Sequence, residues 1–235
     1  MITVAGRGIG RAALQEFHAA GARIIAHVGR NQEHANELPD GIDSFCSDFT
    51  TPQGQQDFVE YVQQHTDHVD VLINNAGTMF GRFPADTLSD EQYQMIIELN
   101  QNAVVRITRG LLPLLKIADK ASIINTVSIS ASTGGSPGSS IYSASKAFVS
   151  TYSKGLAREL APFGIRVNAV SPGVIDTDFH ERYSSTAKLE ATRLQIPLQR
   201  LGTSEDCAPA FLFFAASELS GYITGQVLEI NGGQR

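Results

Sequence analysis

Short apolar runs alternate along this chain with longer stretches of helical period. The runs are residues 22–28 (ARIIAHV), 41–46 (GIDSFC), 69–73 (VDVLI), 122–127 (SIINTV), 165–170 (IRVNAV) and 226–230 (QVLEI), and Met1-Ile2-Thr3 adds the stub of a seventh. Runs this short predict strands. After the stub, Ala13, Leu14, Phe17 and Ala20 fall near one face of a helix that Gly21 stops. Thr51 and Pro52 read as the cap and first turn of the next helix. Residues 89–115 and 141–162 predict two long helices. Strand, helix and strand in repetition predict a doubly wound α/β fold with a parallel seven-stranded sheet covered on both faces, because parallel neighbours need a helical crossover. Ligands of such sheets sit beyond the carboxyl ends of the strands, so the informative residues should follow each apolar run.

Composition narrows the partners. With 235 residues, of which 42% are hydrophobic, the chain can bury one substantial core, and no Pro/Gly/Ser-rich or charge-dense stretch divides it. Residues 1–235 are therefore expected to form a single domain. No apolar run approaches the ~20 residues that span a bilayer, and the N-terminus lacks a signal-peptide layout. A soluble, cytoplasmic protein is the expectation. Cys46 and Cys207 stand alone, without CxxC spacing or a histidine cluster, so neither a disulfide framework nor a metal site is expected. A net charge of −6 without a basic stripe argues against nucleic acid and against an anionic membrane surface. A small molecule remains.

The strand ends carry the chemistry. Glycines 6, 8 and 10 are followed by Arg11-Ala12-Ala13, and Gly8-Ile9-Gly10-Arg11-Ala12-Ala13 satisfies a loose G-x-G-x-x-A pattern, in which bare helix-end amides hold a pyrophosphate. A plain glycine-rich turn would read the same way. No acid stands between Glu16 and Glu33 to hold ribose hydroxyls; Arg7 and Arg30 instead suit an extra phosphate, which favours NADP(H) over NAD(H). Two solvated surface arginines are the alternative. Asn74-Asn75-Ala76-Gly77 follows the fourth run, with a glycine where backbone can pass close to a ligand. Ser128 follows the fifth. Tyr142 and Lys146, four apart on a helix, can face one site.

Taken together, "GRGIG", "NNAG", Asn100 in "IELNQNAV", Ser128, "YSASK", "NAVSPGVIDT" and "YITGQVLEINGG" resemble, in order and over essentially the whole length, the short-chain dehydrogenase/reductases. The resemblance implies a Rossmann-type fold and a catalytic tetrad of Asn100, Ser128, Tyr142 and Lys146. It also implies cofactor contacts at Gly6, Arg7, Gly8, Ile9, Gly10, Asn75, Ala76 and Gly77, with Asp48 and Asn75 beside the adenosine half. Pro172, Gly173, Ile175 and Thr177 would lie beside the carboxamide. Asn100 would hold a water linking Lys146 to solvent. A homotetramer or homodimer is implied as well. A neighbouring ammonium favours an ionised phenol, so Lys146 is expected to lower the Tyr142 pKa.

Two departures stand out. Val4 occupies the position of the usual first loop glycine, and a β-branched residue resists unusual backbone angles, so a shortened first strand and strain at Val4 are expected. The Ser128 to Tyr142 spacing is one longer than usual, which makes Ser130 a rival, although Ser128 keeps the expected offset after "IIN". The "GG-PG" connection and the C-terminal segment resemble NADPH-dependent reductases of a keto-deoxy uronic acid from alginate breakdown. A 3-oxoacyl-carrier-protein reductase is similar in motif, but Phe163 and the acidic balance argue against it. A non-catalytic dinucleotide-binding regulator is the reading from another class; the complete tetrad argues against it and Val4 for it. Residues 178–203 should cover the pocket, with His180, Arg182 and Arg193 meeting a carboxylate or lying solvated on a mobile lid.

Overall fold

The computed structural model describes residues 1–234, with the backbone alone for His180 and Glu181. Along the chain run α1 (Gly8–Ala19), β1 (Ile25–His27), α2 (Glu33–Asn36), β2 (Asp43–Phe45), α3 (Pro52–His65) and β3 (Val71–Asn74). Then follow α4 (Asp90–Ile97), a π-helical turn (Glu98–Asn102), α5 (Ala103–Leu115), β4 (Ser122–Thr126), α6 (Ser130–Thr133) and α7 (Ser140–Leu160). A 3-10 turn (Ala161–Phe163), β5 (Arg166–Pro172), α8 (Asp178–Tyr183), α9 (Thr186–Gln195), α10 (Ser204–Ala215), α11 (Ser217–Ser220) and β6 (Val227–Ile230) complete it.

Every strand pair is parallel, in a four-stranded order β3-β4-β5-β6 and a separate pair β1-β2. Among the described residues the expected seven-stranded sheet is thus six strands and a bridge. Ile2 pairs singly with Ala26 of β1 and with Ile73 of β3. The stub goes no further because the chain turns at Val4, whose φ is 52°. β1 and β2 are also shorter than the apolar runs that predicted them.

Alternation along the strands divides the core between the two faces. Leu72, Ile123 and Val167 pack with Phe58 of α3, Leu111 of α5 and Leu156 of α7. On the opposite face Ile73, Ile124 and Val170 pack with Leu14 of α1 and with Phe211 and Phe214 of α10. Each such fully buried side chain contributes about 1.5–3 kcal/mol, which covers both faces and leaves the strand ends for function.

Thr51 caps α3 by accepting from the Gly54 amide, with Pro52 in the first turn, as expected. The long helix expected over 89–115 is interrupted. The Asn100 side chain donates to the Ile96 carbonyl at 2.9 Å, the acceptor that an α-helical amide at position 100 would use. The ladder therefore widens to π geometry across Glu98–Asn102, a distortion that often marks functional sites.

Candidate active site

A cavity of about 390 Å3 opens at the carboxyl ends of the strands. Its first wall is the glycine loop. Val4 donates its amide to His27 Nδ1 at 3.4 Å, and its carbonyl accepts from Asn75 Nδ2 at 3.2 Å. A Cβ on Gly10 would lie 2.1 Å from that carbonyl, so only glycine lets α1 start this close to the loop. Thr3 Oγ1 accepts from the Asn75 and Ala76 amides at 2.8 and 2.9 Å, which clamps the NNAG turn onto the loop. No side chain caps α1 and no acid sits in its first turn, so its leading amides remain available to an anion.

The arginines expected to hold a phosphate differ in setting. Arg7 lines the cavity, and its Nη1 lies 3.5 Å from Asp178 Oδ2 of α8. Arg30, beyond β1, pairs with Asp48, beyond β2, at 3.6 Å; neither lines the cavity. Burial acts to raise the Asp48 carboxyl, but hydrogen bonds from the Thr50 hydroxyl and amide, with the Arg30 guanidinium, leave it below the usual carboxylate range. Gly8, Ile9, Asn75, Gly77, Pro172, Gly173, Ile175 and Thr177 all line the cavity, whereas Gly6, Gly10 and Ala76 are buried behind it.

The four tetrad residues are brought together. Tyr142 and Lys146 occupy successive turns of α7, and Ser128 follows β4. Ser128 Oγ accepts from Ser130 Oγ at 3.0 Å and acts on the Tyr142 phenol, whose pKa it acts to lower, whereas its rival Ser130 does not. Lys146 Nζ, almost fully buried, donates to the Thr126 carbonyl at 2.9 Å and keeps two protons for other partners. A Cβ on Gly77 would lie 2.7 Å from Lys146 Nζ and 2.9 Å from Asn100 Oδ1, which places both polar atoms against one glycine. Asn100 donates to the Thr78 carbonyl at 2.8 Å, while its buried Oδ1 has no partner. That orphaned acceptor, the ammonium beside it and the uncapped α1 fit a nicotinamide dinucleotide with its ordered water.

The electrostatics differ from expectation at one point. Tyr142 keeps some surface open to the cavity, yet burial pushes its phenol up to about 12; Ser128 opposes the rise and Tyr183 adds to it. Lys146 has no part in this. Its Nζ lies 5.9 Å from the Tyr142 ring centroid and is turned toward Thr126, and burial pushes its own pKa down to about 8. At neutral pH the phenol is protonated and able to donate.

The covering segment is more structured than its sequence suggested. Phe179 and Tyr183 of α8 form an aromatic roof, with the Phe179 ring 5.8 Å from that of Tyr142 and 5.0 Å from that of Tyr183. Tyr183 OH lies 3.1 Å from Thr78 Oγ1. The sequence reading missed this roof, although the four-residue spacing of the two aromatics was its signal. Arg182 lines the cavity; Arg193 pairs instead with Glu190 at 2.6 Å; the His180 side chain lies outside the described residues.

Sheet topology and site together define an oxidoreductase of the nicotinamide dinucleotide type. Residues 4–235 match a family model described as enoyl-(acyl carrier protein) reductase. The chain belongs to the short-chain dehydrogenase/reductase family, NAD(P)-dependent enzymes acting on CH-OH and C=O groups. It is 36% identical to the 3-oxoacyl-[acyl-carrier-protein] reductase FabG of Thermotoga maritima, over 99% of this chain and 96% of that one. Two solved structures are similar. A short-chain dehydrogenase/reductase (glucose/ribitol dehydrogenase) from Brucella melitensis has a TM-score of 0.89 at 28% identity, covering 98% of this chain and 94% of that one. The NADH-dependent reductase A1-R', responsible for alginate metabolism, has a TM-score of 0.86 at 31% identity, covering 100% and 95%. No helix among the described residues is long and apolar enough to cross a membrane.

Proposed function

We propose that this chain reduces the carbonyl of a small, sugar-derived keto acid, using NADP(H) in preference to NAD(H). The observation that carries the reading is that Ser128, Tyr142 and Lys146 line one cavity, where burial holds the Tyr142 phenol in its protonated form. Tyr142 delivers its proton to the carbonyl oxygen. Ser128 donates to the same oxygen as negative charge develops there. Lys146 orients the ribose and, through a water on the free Asn100 Oδ1, restores the proton from solvent. The bound dinucleotide supplies the hydride. Pro172, Gly173, Ile175 and Thr177 hold the nicotinamide half, Asn75 lies with Asp48 beside the adenosine half, and the open amides of α1 hold the pyrophosphate.

NADP(H) preference rests on Arg7 and Arg30, with Asp48 orienting Arg30. A 3-oxoacyl-carrier-protein substrate is the second reading, favoured by the similarity to the Thermotoga maritima reductase. Leu219, Tyr222 and Leu228 are exposed around β6, an open sheet edge, which supports a dimer or tetramer. The free thiols of Cys46 and Cys207 suit the cytoplasm.

The test is Tyr142→Phe. Reduction should fall roughly 10²–10⁴-fold with the NADPH dissociation constant nearly unchanged, since only the proton donor is removed. Comparable turnover would sink the assignment. In the same titrations, Arg7→Ala and Arg30→Ala should each weaken NADPH by about 1.5–3 kcal/mol and NADH far less. Tighter NADH binding by the unaltered protein would overturn the preference.

A further inference from the structure

Two cations of the cavity lining converge on the turn at Ser136 and Pro137. Arg82 follows the NNAG segment and donates from Nε to the Tyr183 carbonyl at 3.0 Å and from Nη1 to the Pro137 carbonyl at 3.2 Å. Lys188, in the first turn of α9, donates from Nζ to Ser136 Oγ at 2.9 Å. Both line the cavity. Among the described residues neither has a carboxylate within ion-pair distance, whereas Arg106 and Arg200 each carry one. Burial and the Arg82 guanidinium both hold the Lys188 ammonium below its ordinary value, as befits like charges kept together without a counter-ion.

We propose that Arg82 and Lys188 form an anion subsite that takes the carboxylate of the substrate while its carbonyl meets Tyr142. This rests on the carbonyl-reductase reading above. Hydrogen bonds to neutral oxygens aim both cations but leave Arg82 Nη2 and two Lys188 protons for a ligand. The Phe179 ring contacts both Tyr183, whose carbonyl holds Arg82, and the Tyr142 ring, so the carbon chain joining the acid to the carbonyl crosses an aromatic surface. The phosphate of a carrier-bound thioester shares the anionic chemistry. The short aromatic span favours the carboxylate of a small keto acid.

The test compares a keto-deoxy uronic acid, whose aldehyde and carboxylate stand at opposite ends of the carbon chain, with its methyl ester in unaltered protein and in Lys188→Gln, whose position is exposed and outside the core. The acid should be preferred roughly tenfold to a hundredfold in kcat/KM, and Lys188→Gln should abolish most of that preference through KM, the scale of one charge-assisted hydrogen bond. Arg82→Lys should retain part of it. Equal use of acid and ester, or a preference unmoved by Lys188→Gln, overturns the subsite. Calorimetric titration with the corresponding hydroxy acid separates the two readings, since it needs no turnover. Binding that weakens in Lys188→Gln without reduction of either probe keeps the subsite and removes the reductase reading. No binding, or binding indifferent to Lys188→Gln, overturns the subsite. A phosphopantetheine thioester that depends on Lys188 where the sugar acid does not would reassign the cations to a carrier.

Discussion

Val4 holds a φ of 52°, a conformation its β-branched side chain disfavours. The sequence already marked the position, because a valine stands where the family pattern has glycine. What it could not show is why the angle is kept. The Val4 amide and carbonyl are tied to His27 and Asn75, and Gly10 packs against the same carbonyl. Val4→Gly should therefore relieve about 1–3 kcal/mol of strain, less the ~0.5–1 kcal/mol that glycine's greater freedom costs. A net gain of about 1 kcal/mol is expected, read as a higher urea midpoint at an unchanged slope. A lower midpoint would show that the valine side chain's packing outweighs the strain. Tyr142 and Lys146 were legible for a simpler reason, since a separation of four on one helix needs no long-range information. The rise of the phenol to about 12 did need it, because burial depends on what folds over the ring.

At the scale of elements, the site depends on two distortions meeting. The NNAG turn brings Gly77 against Lys146 and Asn100, and the π turn places Asn100 there. Gly77→Ala would put a Cβ 2.7 Å from Lys146 Nζ and 2.9 Å from Asn100 Oδ1, both side-chain ends, so the ammonium and the amide must shift while the backbone stays. Thermal stability should change by less than about 1 kcal/mol while kcat/KM falls roughly 10²-fold, the usual cost of a misplacement near 1 Å. Full activity would show that Lys146 tolerates displacement. Helix positions were legible from apolar periodicity. The π turn was not, because the hydrophobic pattern of residues 89–115 continues through it and a side-chain hydrogen bond makes the break.

At the scale of the whole molecule, His27 joins three segments. Its ring is buried, stacks on Phe49 with centroids 3.6 Å apart, accepts the Val4 amide at Nδ1 and reaches the Ser47 carbonyl from Nε2 at 3.0 Å. Burial pushes its pKa down from 6.5 to about 4, against the pull of Ser47 and Asp48. The fold thus favours the neutral ring. Stability from this group is complete above the unfolded pKa and is lost as pH falls from there through the folded value, by roughly 3 kcal/mol in all. Urea unfolding at pH 7.5 and 4.5 should show the loss, and His27→Gln should flatten it. An equal loss in the variant would assign the pH dependence to other groups. The sequence alone determined the parallel α/β class, because strand period and helix period are local properties; the loop glycines and the tetrad of Asn100, Ser128, Tyr142 and Lys146 came from resemblance, through motifs that are local too. Only the tertiary structure decided that the first strand is a single bridge, that Ser128 and Tyr142 line one cavity, and that Arg82 and Lys188 face it without a carboxylate in ion-pair distance among the described residues. Those are relations between segments up to a hundred residues apart, as in the contact of Arg82 with Tyr183. They exist only once packing has set distance and excluded water.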